Sequence, residues 1–159
     1  MNMPIVRFRS MPLPARFWSA IPLRLIVGYG FMEHGFAKLA RGPESFMHIL
    51  DALGVPMPAM MAWATILVEI FGGFAVLVGF LVPLASVPMI VVLLVAIFTV
   101  HLPNGFSSIK LQEVTAAGAH FGQPGYETDL LYIAALVALV IGGSGPLALD
   151  GFLGGRRKG

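Results

Sequence analysis

The sequence predicts an all-α membrane protein in which four transmembrane helices form a bundle and both termini lie in the cytoplasm. Three observations support this fold class. Hydrophobic residues make up 57% of the 159 residues and charged residues only 11%, which is outside the range of soluble globular domains. The apolar residues fall into separate long segments, and the basic residues are concentrated near the two ends of the chain.

Four apolar segments are each close to the ~20 residues that an α-helix needs to cross the core of a bilayer. The transmembrane helices are expected at about residues 17–39, 59–80, 84–102 and 126–143. Together they predict a transmembrane domain at 17–150, with a cytoplasmic segment at 1–16 before it and a basic cytoplasmic tail at 151–159 after it.

The distribution of basic residues predicts the orientation in the membrane. Of the ten Lys and Arg residues, most flank the start of the first helix or the end of the last helix, and the exceptions are Lys38, Arg41 and Lys110. Because cytoplasmic loops are enriched in Lys and Arg, both termini are expected in the cytoplasm. The protein is therefore expected to be multi-pass and surrounded by the lipid bilayer.

Two connections have clear signals. Residues 79–88 form a short link without charge, and Pro83 suits the first turn of a new helix, so the second and third helices should form a tight hairpin. Residues 103–128 are expected to form a long loop without regular structure. Loops of this length often cover a binding site, which makes this one a candidate cover.

The connection at residues 40–58 contains a further helical pattern. Phe46, Ile49, Leu50 and Leu53 recur at helical spacing between two stretches rich in Gly and Pro. This pattern predicts a short amphipathic helix that lies on the membrane surface.

Polar side chains from all four predicted helices lie in the same half of the bilayer. The first helix runs outward, and Glu33, His34 and Lys38 lie in its outer half. Glu69 is some ten residues into the second helix, which at ~1.5 Å per residue places it near the middle of the membrane. The outer ends of the third and fourth helices carry His101, Asn104, Tyr126, Glu127 and Asp129.

Helix geometry indicates which of these groups can meet. His34 and Lys38 are four residues apart and share a face, which we expect to point inward, whereas Glu33 points elsewhere. A carboxylate at mid-membrane costs roughly 3 kcal/mol, so Glu69 should find a partner in Lys38, His34 or Arg24. Arg24 is also able to snorkel to the inner surface. Two interpretations of Glu69 stay open: an ion pair that fixes helix packing, or part of a proton or substrate path.

Several chemistries are disfavoured. The chain has no cysteine, which excludes disulfides, iron–sulfur clusters and thiolate metal sites, and no metal site is expected. The Glu-x-x-His pairs of di-iron bundles, a Ser-His-Asp arrangement and HExxH are absent. A b-type haem between His34 and His101 is disfavoured, because Lys38 is one turn from His34 and His101 is shallow.

Five short motifs follow one another along the chain in a characteristic order. They are HGFAKL at 34–39, LGVP at 53–56, VEIFGG at 68–73, VHLPNGF at 100–106 and GYE at 125–127. Each is weak alone, but in this order, with these spacings and this hydropathy, the chain resembles the DoxX family over about residues 18–150.

The resemblance implies a small bacterial inner-membrane protein. The family is related to the membrane subunit of a thiosulfate:quinone oxidoreductase and to proteins linked with quinone, sulfur and oxidative-stress metabolism. We therefore expect a redox-associated protein that binds a quinone or another small substrate in a polar pocket in the outer half of the bundle. Without a cysteine or a nucleotide-binding glycine pattern, electrons have to come from the quinone, the substrate or a partner subunit.

The candidate site residues follow from this expectation. Glu69 and His34 would relay protons, Lys38 would stabilise an anionic quinol oxygen or an anionic sulfur substrate, and His101 would supply a hydrogen bond. The candidate cofactor-binding residues are Asn104, Tyr126 and Glu127.

Two other functions stay open at this point. The protein could be a non-catalytic membrane anchor or accessory subunit of a larger complex, in which the same ion pairs only serve packing. It could also be a small transporter, although four helices would have to oligomerise to enclose a path. The expected partners are a redox subunit or further copies of this chain, and no nucleic acid is expected.

Overall fold

The computed structural model describes residues 18–155, and most of them are helical. A two-stranded antiparallel sheet, β1 (Leu111–Thr115) and β2 (Gly118–Phe121), lies between the fourth and fifth helices. The helices are α1 (Ala20–Ala40), α2 (Pro43–Ala52), α3 (Pro58–Val78), α4 (Val82–Asn104), α5 (Glu127–Gly142) and α6 (Leu149–Gly155).

The expected segment at 1–16 lies outside the described residues, and so does most of the basic tail. The Lys and Arg residues that predicted the orientation are therefore largely outside this range. The first five residues of the predicted tail, 151–155, belong to helix α6.

Two helices are long and apolar enough to cross a membrane. They are α3, with 21 residues, and α4, with 23 residues, and they match the segments predicted at 59–80 and 84–102. Helices also form at the other two predicted segments, but α1 carries Arg24, Glu33 and Lys38, and α5 has only 16 residues. The prediction of membrane helices is thus confirmed for two segments by length and composition.

Proline residues mark the start of three helices. Pro43, Pro58 and Pro83 each lie in a first turn, where the missing N–H is not needed by the helix. The tight link before Pro83 is confirmed, but it is shorter than the predicted 79–88, because α4 already begins at Val82. Pro88 lies inside α4, which membrane helices tolerate better than soluble ones.

Helices α1 and α3 approach closely through glycines. A Cβ atom added to Gly28 would lie 2.7 Å from the carbonyl oxygen of Gly73, and one added to Gly73 would lie 2.8 Å from that of Gly28. Small residues on both helices thus let the two backbones come near each other. On its other side α1 contacts α5, where the rings of Phe31 and Tyr132 meet edge to face with centroids 5.6 Å apart.

The packed helices enclose an apolar core and expose large apolar side chains on their outer faces. Fully buried side chains come from four helices, among them Val27, Val76, Met89 and Leu136. Outward-facing residues such as Ile141 are largely exposed. Continuous apolar surface of this kind is typical of helices that face lipid.

The segment 103–128 is not the structureless loop that the sequence predicts. It contains the β1–β2 hairpin, in which Thr115 pairs with Gly118 and Leu111 pairs with Phe121. The sequence signal is weak because the turn residues are Ala116 and Ala117, not the Asn-Gly or Asp-Gly that mark most tight hairpins. Every residue of both strands is exposed.

The short helix predicted between residues 40 and 58 is confirmed as α2. Within this region the side chain of Leu50 is buried, whereas those of Ile49 and Leu53 are exposed. Its N-terminus follows Gly42, whose φ of 88° lets the chain turn sharply after α1.

Candidate functional site

Helix α1 runs antiparallel to α3 and α5. Arg24, near the start of α1, contacts the last residues of α3 and the chain just after α5. The C-terminal part of α1 therefore lies with the start of α3, the end of α4 and the start of α5. We call this end of the molecule the polar end and define it by Lys38, Glu69, His101 and Asp129.

Lys38 and Glu69 form a close ion pair between α1 and α3. Nζ of Lys38 donates to both carboxylate oxygens of Glu69, at 2.6 Å and 2.7 Å. Glu69 is only 5% exposed. The ammonium group also lies over the ring of Phe46 from α2, 5.1 Å from its centroid, at a distance that gives a favourable cation–π contact. Of the three partners predicted for Glu69, the structure selects Lys38.

Gly35 allows this pair to form. A Cβ atom at Gly35 would lie 2.6 Å from Cγ1 of Ile70 and 3.1 Å from Cβ of Glu69. The backbone of α1 thus passes directly against the side chains of α3. Because Lys38 is one turn after Gly35, its side chain reaches the carboxylate without crossing open space.

His101 and Asp129 form a second acid–base pair, between α4 and α5. Nδ1 of His101 lies 2.5 Å from Oδ2 of Asp129. The Asp129 side chain is 10% exposed and the His101 side chain 25% exposed. The imidazole is therefore accessible from outside while its acidic partner is held inside.

Both pairs include a residue on a π-helical turn. Glu69 lies in the turn Val68–Gly72 of α3, and His101 lies in the turn Ile97–His101 of α4. Single π turns are rare and occur frequently at functional sites, because they interrupt the regular backbone hydrogen bonding of a helix. Two such turns at the polar end distinguish it from the rest of the molecule described.

The other predicted site residues are placed less centrally. His34 is exposed, which corrects the expectation that it points inward with Lys38. The buried face of α1 runs through Phe31 and Gly35, and His34 lies about 100° around the helix from Gly35. Its side chain makes no hydrogen bond to another side chain within residues 18–155.

Asn104, Tyr126 and Glu127 are engaged by their neighbours. Asn104 donates to the carbonyl oxygen of Val100, one turn before it in the same helix, at 3.3 Å. The ring of Tyr126 meets that of Phe106 at 5.6 Å. Oε2 of Glu127 accepts a hydrogen bond from the backbone N–H of Ser108 at 3.0 Å. Tyr126 and Glu127 thus contact residues 106 and 108, at the base of the hairpin segment 103–128, whereas Asn104 bonds within its own helix. The role of all three residues in cofactor binding stays a prediction.

Arg24 does not snorkel to the surface as predicted. It is 6% exposed, and backbone carbonyl groups surround its guanidinium group and accept hydrogen bonds from it. Its five N–H groups are directed at the carbonyl oxygens of Val76, Leu77, Ser144, Pro146 and Leu147. It is therefore not a partner of Glu69.

One groove among the described residues lies away from the polar end. It is open, has a volume of about 470 Å³ and is lined by Pro22, Leu25, Ile26, Tyr29 and Leu77. Its walls are almost entirely apolar, so it offers few of the groups that polar chemistry requires. Among residues 18–155, no three His, Asp or Glu side chains come close enough together to hold a metal ion.

Comparison with known proteins assigns the chain to a family. The model of the DoxX family matches residues 19–102. The chain belongs to the DoxX family. Lys38, Glu69 and His101 lie within the matched segment, whereas Asp129 lies beyond it.

Two curated relatives extend the DoxX similarity over most of the chain. "Uncharacterized membrane protein Rv3486" of Mycobacterium tuberculosis is 30% identical over 136 residues, which cover 83% of this chain and 79% of the relative. "Putative oxidoreductase CatD" of Bacillus subtilis is 29% identical over 131 residues, which cover 82% of this chain and 84% of the relative. No solved structure matches the chain significantly. With its two apolar helices, this DoxX chain is a membrane protein.

Asp129 was placed from the sequence among the polar groups of the outer half but was not chosen as a candidate site residue. Periodicity could have identified it, because it lies seven residues before Leu136 and ten before Leu139, both of which are buried. These spacings place the three side chains on one face of α5. Glu127 lies off this face.

Proposed function

We propose that this DoxX protein is a four-span, redox-associated protein of the bacterial inner membrane that binds a quinone head group at the polar end. The observation that carries the proposal is the presence of two acid–base pairs, Lys38–Glu69 and His101–Asp129, at the same end of the packed helices. Ionisable groups at such depth in a membrane are costly and generally serve function.

The four-span arrangement is supported by how the two basic side chains of α1 are neutralised. Lys38 is paired with Glu69, and Arg24 donates to backbone carbonyls, so neither charge faces lipid without a partner. Helix α5 is short at 16 residues, but it packs against α1 and α4. A short helix is accommodated by local thinning of the bilayer at modest cost.

The groups at the polar end fit a quinone head group. When bound, a quinone supplies two carbonyl oxygens that accept hydrogen bonds and take up two electrons and two protons. The ammonium of Lys38 has three N–H donors, of which Glu69 accepts two. The imidazole of His101 uses Nδ1 for Asp129, which leaves Nε2 for a ligand. Both groups are able to donate to an oxygen and to exchange protons with it.

Electrons would come from a reduced substrate or a partner subunit. The chain has no cysteine to carry a thiolate-bound redox centre. Its own residues would bind, orient and protonate, with Glu69 and His101 exchanging protons and Lys38 stabilising negative charge on an oxygen. The oxidoreductase name of the Bacillus subtilis relative supports a redox role.

The proposal is tested by quinone binding in mild detergent. Binding of a short-chain quinone to the purified protein would be measured by quenching of tryptophan fluorescence. We expect Lys38→Met and Glu69→Gln each to weaken binding about tenfold or more, since each removes a hydrogen bond to a charged group. The matched controls are Lys110→Met, just before the exposed strand β1, and Glu113→Gln, within it. Both variants should bind quinone as the native protein does.

A result against the proposal would be native affinity in Lys38→Met and Glu69→Gln while both variants remain folded and inserted. Gel filtration in detergent and circular dichroism would establish folding. Failure of the native protein to bind any quinone, with none extracted from it by organic solvent, would contradict the proposal more directly.

A second candidate function is that of a membrane anchor for a larger complex. It is favoured by the exposed β1–β2 hairpin, on which Leu111, Val114 and Phe121 are all more than half exposed. Copurification separates the two functions. An anchor role predicts that Val114→Asp releases a companion subunit and leaves quinone binding unchanged.

A further inference from the structure

The His101–Asp129 pair has the geometry of a base and the residue that orients it. Nδ1 of His101 lies 2.5 Å from a carboxylate oxygen of Asp129. One ring nitrogen is thus occupied, and Nε2 makes no hydrogen bond within residues 18–155. The side chain of His101 is 25% exposed, so Nε2 is the nitrogen that a ligand is able to reach.

The main chain fixes the distance between the two side chains. The backbone N–H of Tyr126 donates to the carbonyl of Gly105 at 3.1 Å, and that of Glu127 donates to Phe106 at 2.9 Å. These bonds tie the start of α5 to the chain just after α4. The pair is therefore held by two joined helix ends, and does not depend on flexible side chains meeting by chance.

Asp129 is well placed to accept the hydrogen bond of His101. It lies in the first turn of α5, where the exposed N–H groups of a helix favour negative charge. Glu127, two residues earlier, already accepts a hydrogen bond from the backbone of Ser108. Asp129 is thus the acidic residue of this turn that is available to His101.

The hydrogen bond determines which nitrogen of neutral His101 carries the proton. With Nδ1–H donated to the carboxylate, Nε2 presents a lone pair. A ligand hydroxyl then transfers its proton to Nε2: the O–H bond breaks, the N–H bond forms, and the carboxylate of Asp129 balances the new positive charge. In the reverse direction Nε2–H returns the proton to the oxygen.

We propose that Asp129 is a positioning residue that fixes the tautomer of His101, so that Nε2 exchanges a proton with the oxygen of the bound ligand. This inference rests on the proposed function for the identity of that ligand, a quinol or quinone. It goes beyond that function by assigning a role to Asp129 and by naming Nε2 as the nitrogen of His101 that faces the ligand.

The tautomer is tested without any ligand by nitrogen NMR of protein labelled at its histidines. The chain has four histidines, and the signals of His101 are identified by their loss in His101→Gln. In the native protein we expect neutral His101 to carry its proton on Nδ1. In Asp129→Asn we expect a substantial fraction to carry it on Nε2 instead.

Asp51→Asn is the matched control, because Asp51 is exposed on α2 and distant in sequence from the pair. It should leave the His101 signals unchanged. Should Asp129→Asn fail to fold, Asp129→Glu keeps a carboxylate and is expected to retain the proton on Nδ1. Native-like signals in folded Asp129→Asn, or Nε2 protonation in the native protein, would overturn the inference.

A functional readout separates the inference from the proposed function. Quinone-linked turnover in Asp129→Asn should show kcat lower by about 10²-fold, the typical contribution of a proton-transfer group, with KM little changed. A purely structural role would instead reduce the amount of folded protein, and the folded fraction would keep the native kcat and KM. If the native protein binds no quinone but its tautomer depends on Asp129, the proposed function fails and the positioning role stands.

Discussion

Two basic side chains of helix α1 lie at opposite ends of the molecule, and their environments differ: Arg24 is buried and Lys38 is partly buried. Arg24 donates its N–H groups to five backbone carbonyls, and no carboxylate of the described residues lies within ion-pair distance of it. Lys38 instead meets the carboxylate of Glu69 through two bonds. One cation is neutralised by helix and turn carbonyls, and the other by an acid that is able to exchange a proton.

The difference distinguishes a structural site from a chemical one. At Arg24 every donor of the guanidinium group is used and the side chain is 6% exposed, which leaves nothing for a ligand. At the polar end the Lys38 side chain is 23% exposed and one of its N–H groups has no acceptor within residues 18–155. Burial of a charge is therefore not sufficient to indicate function, and the remaining hydrogen-bonding capacity is the better criterion.

The largest effect on stability is expected from Arg24→Met. The substitution removes five hydrogen bonds to buried or partly buried carbonyls at the end of α3 and after α5, and the loss of each bond is costly. We expect the free energy of unfolding to fall by about 3–5 kcal/mol. The measurement is reversible unfolding of the purified protein in mixed micelles, with Arg41→Met as control because Arg41 is exposed. A loss below about 1 kcal/mol would show that water replaces the guanidinium group.

The Lys38–Glu69 pair should respond differently to single and double substitution. Lys38→Met leaves a buried carboxylate without a partner and should cost about 3 kcal/mol in unfolding free energy. In Lys38→Met with Glu69→Leu both charges are gone, and most of the stability should return.

Quinone binding in this double variant then sharpens the comparison of the two ends. If the pair serves only packing, the double variant should bind a short-chain quinone as the native protein does. If it serves chemistry, binding should stay at least about tenfold weaker although stability is restored.

A smaller effect is expected from Gly35→Ala. The added Cβ would lie 2.6 Å from Cγ1 of Ile70 and 3.1 Å from Cβ of Glu69, so α1 has to move away from α3. We expect a loss of about 1–3 kcal/mol, measured by the same unfolding experiment. Gly142→Ala on α5 is the control, because its added Cβ would contact nothing within 4 Å. Equal stability of the two variants would contradict the close packing at the polar end.

The helices were predictable from sequence because apolar runs and proline starts are local signals. The observed bounds Pro58–Val78 and Val82–Asn104 lie within two residues of the predicted segments. The β1–β2 hairpin was not predictable, because its Ala116–Ala117 turn lacks the residues that favour left-handed backbone.

The site was predictable only in part. Lys38 and Glu69 follow from helix depth and from the cost of a buried charge, and the structure joins them. The inward placement of His34 was wrong, because a difference of one residue rotates a side chain by about 100° and sequence alone does not fix the rotation of α1. The bond from His101 to Asp129 depends on how α4 and α5 meet, which is a tertiary property.

The smallest effect is expected from Ser108→Ala, at the base of the hairpin segment. The Ser108 hydroxyl lies 2.8 Å from that of Thr128 and accepts the backbone N–H of Thr128 at 3.2 Å. Because these groups are exposed, water replaces most of the lost bonds, and we expect a loss of about 1 kcal/mol or less. Hydrogen exchange of the Thr128 amide should nevertheless speed up, whereas the exposed control Ser107→Ala should leave it unchanged. Since Thr128 precedes Asp129, unchanged exchange in Ser108→Ala would mean that the start of α5 is held by the backbone bonds alone.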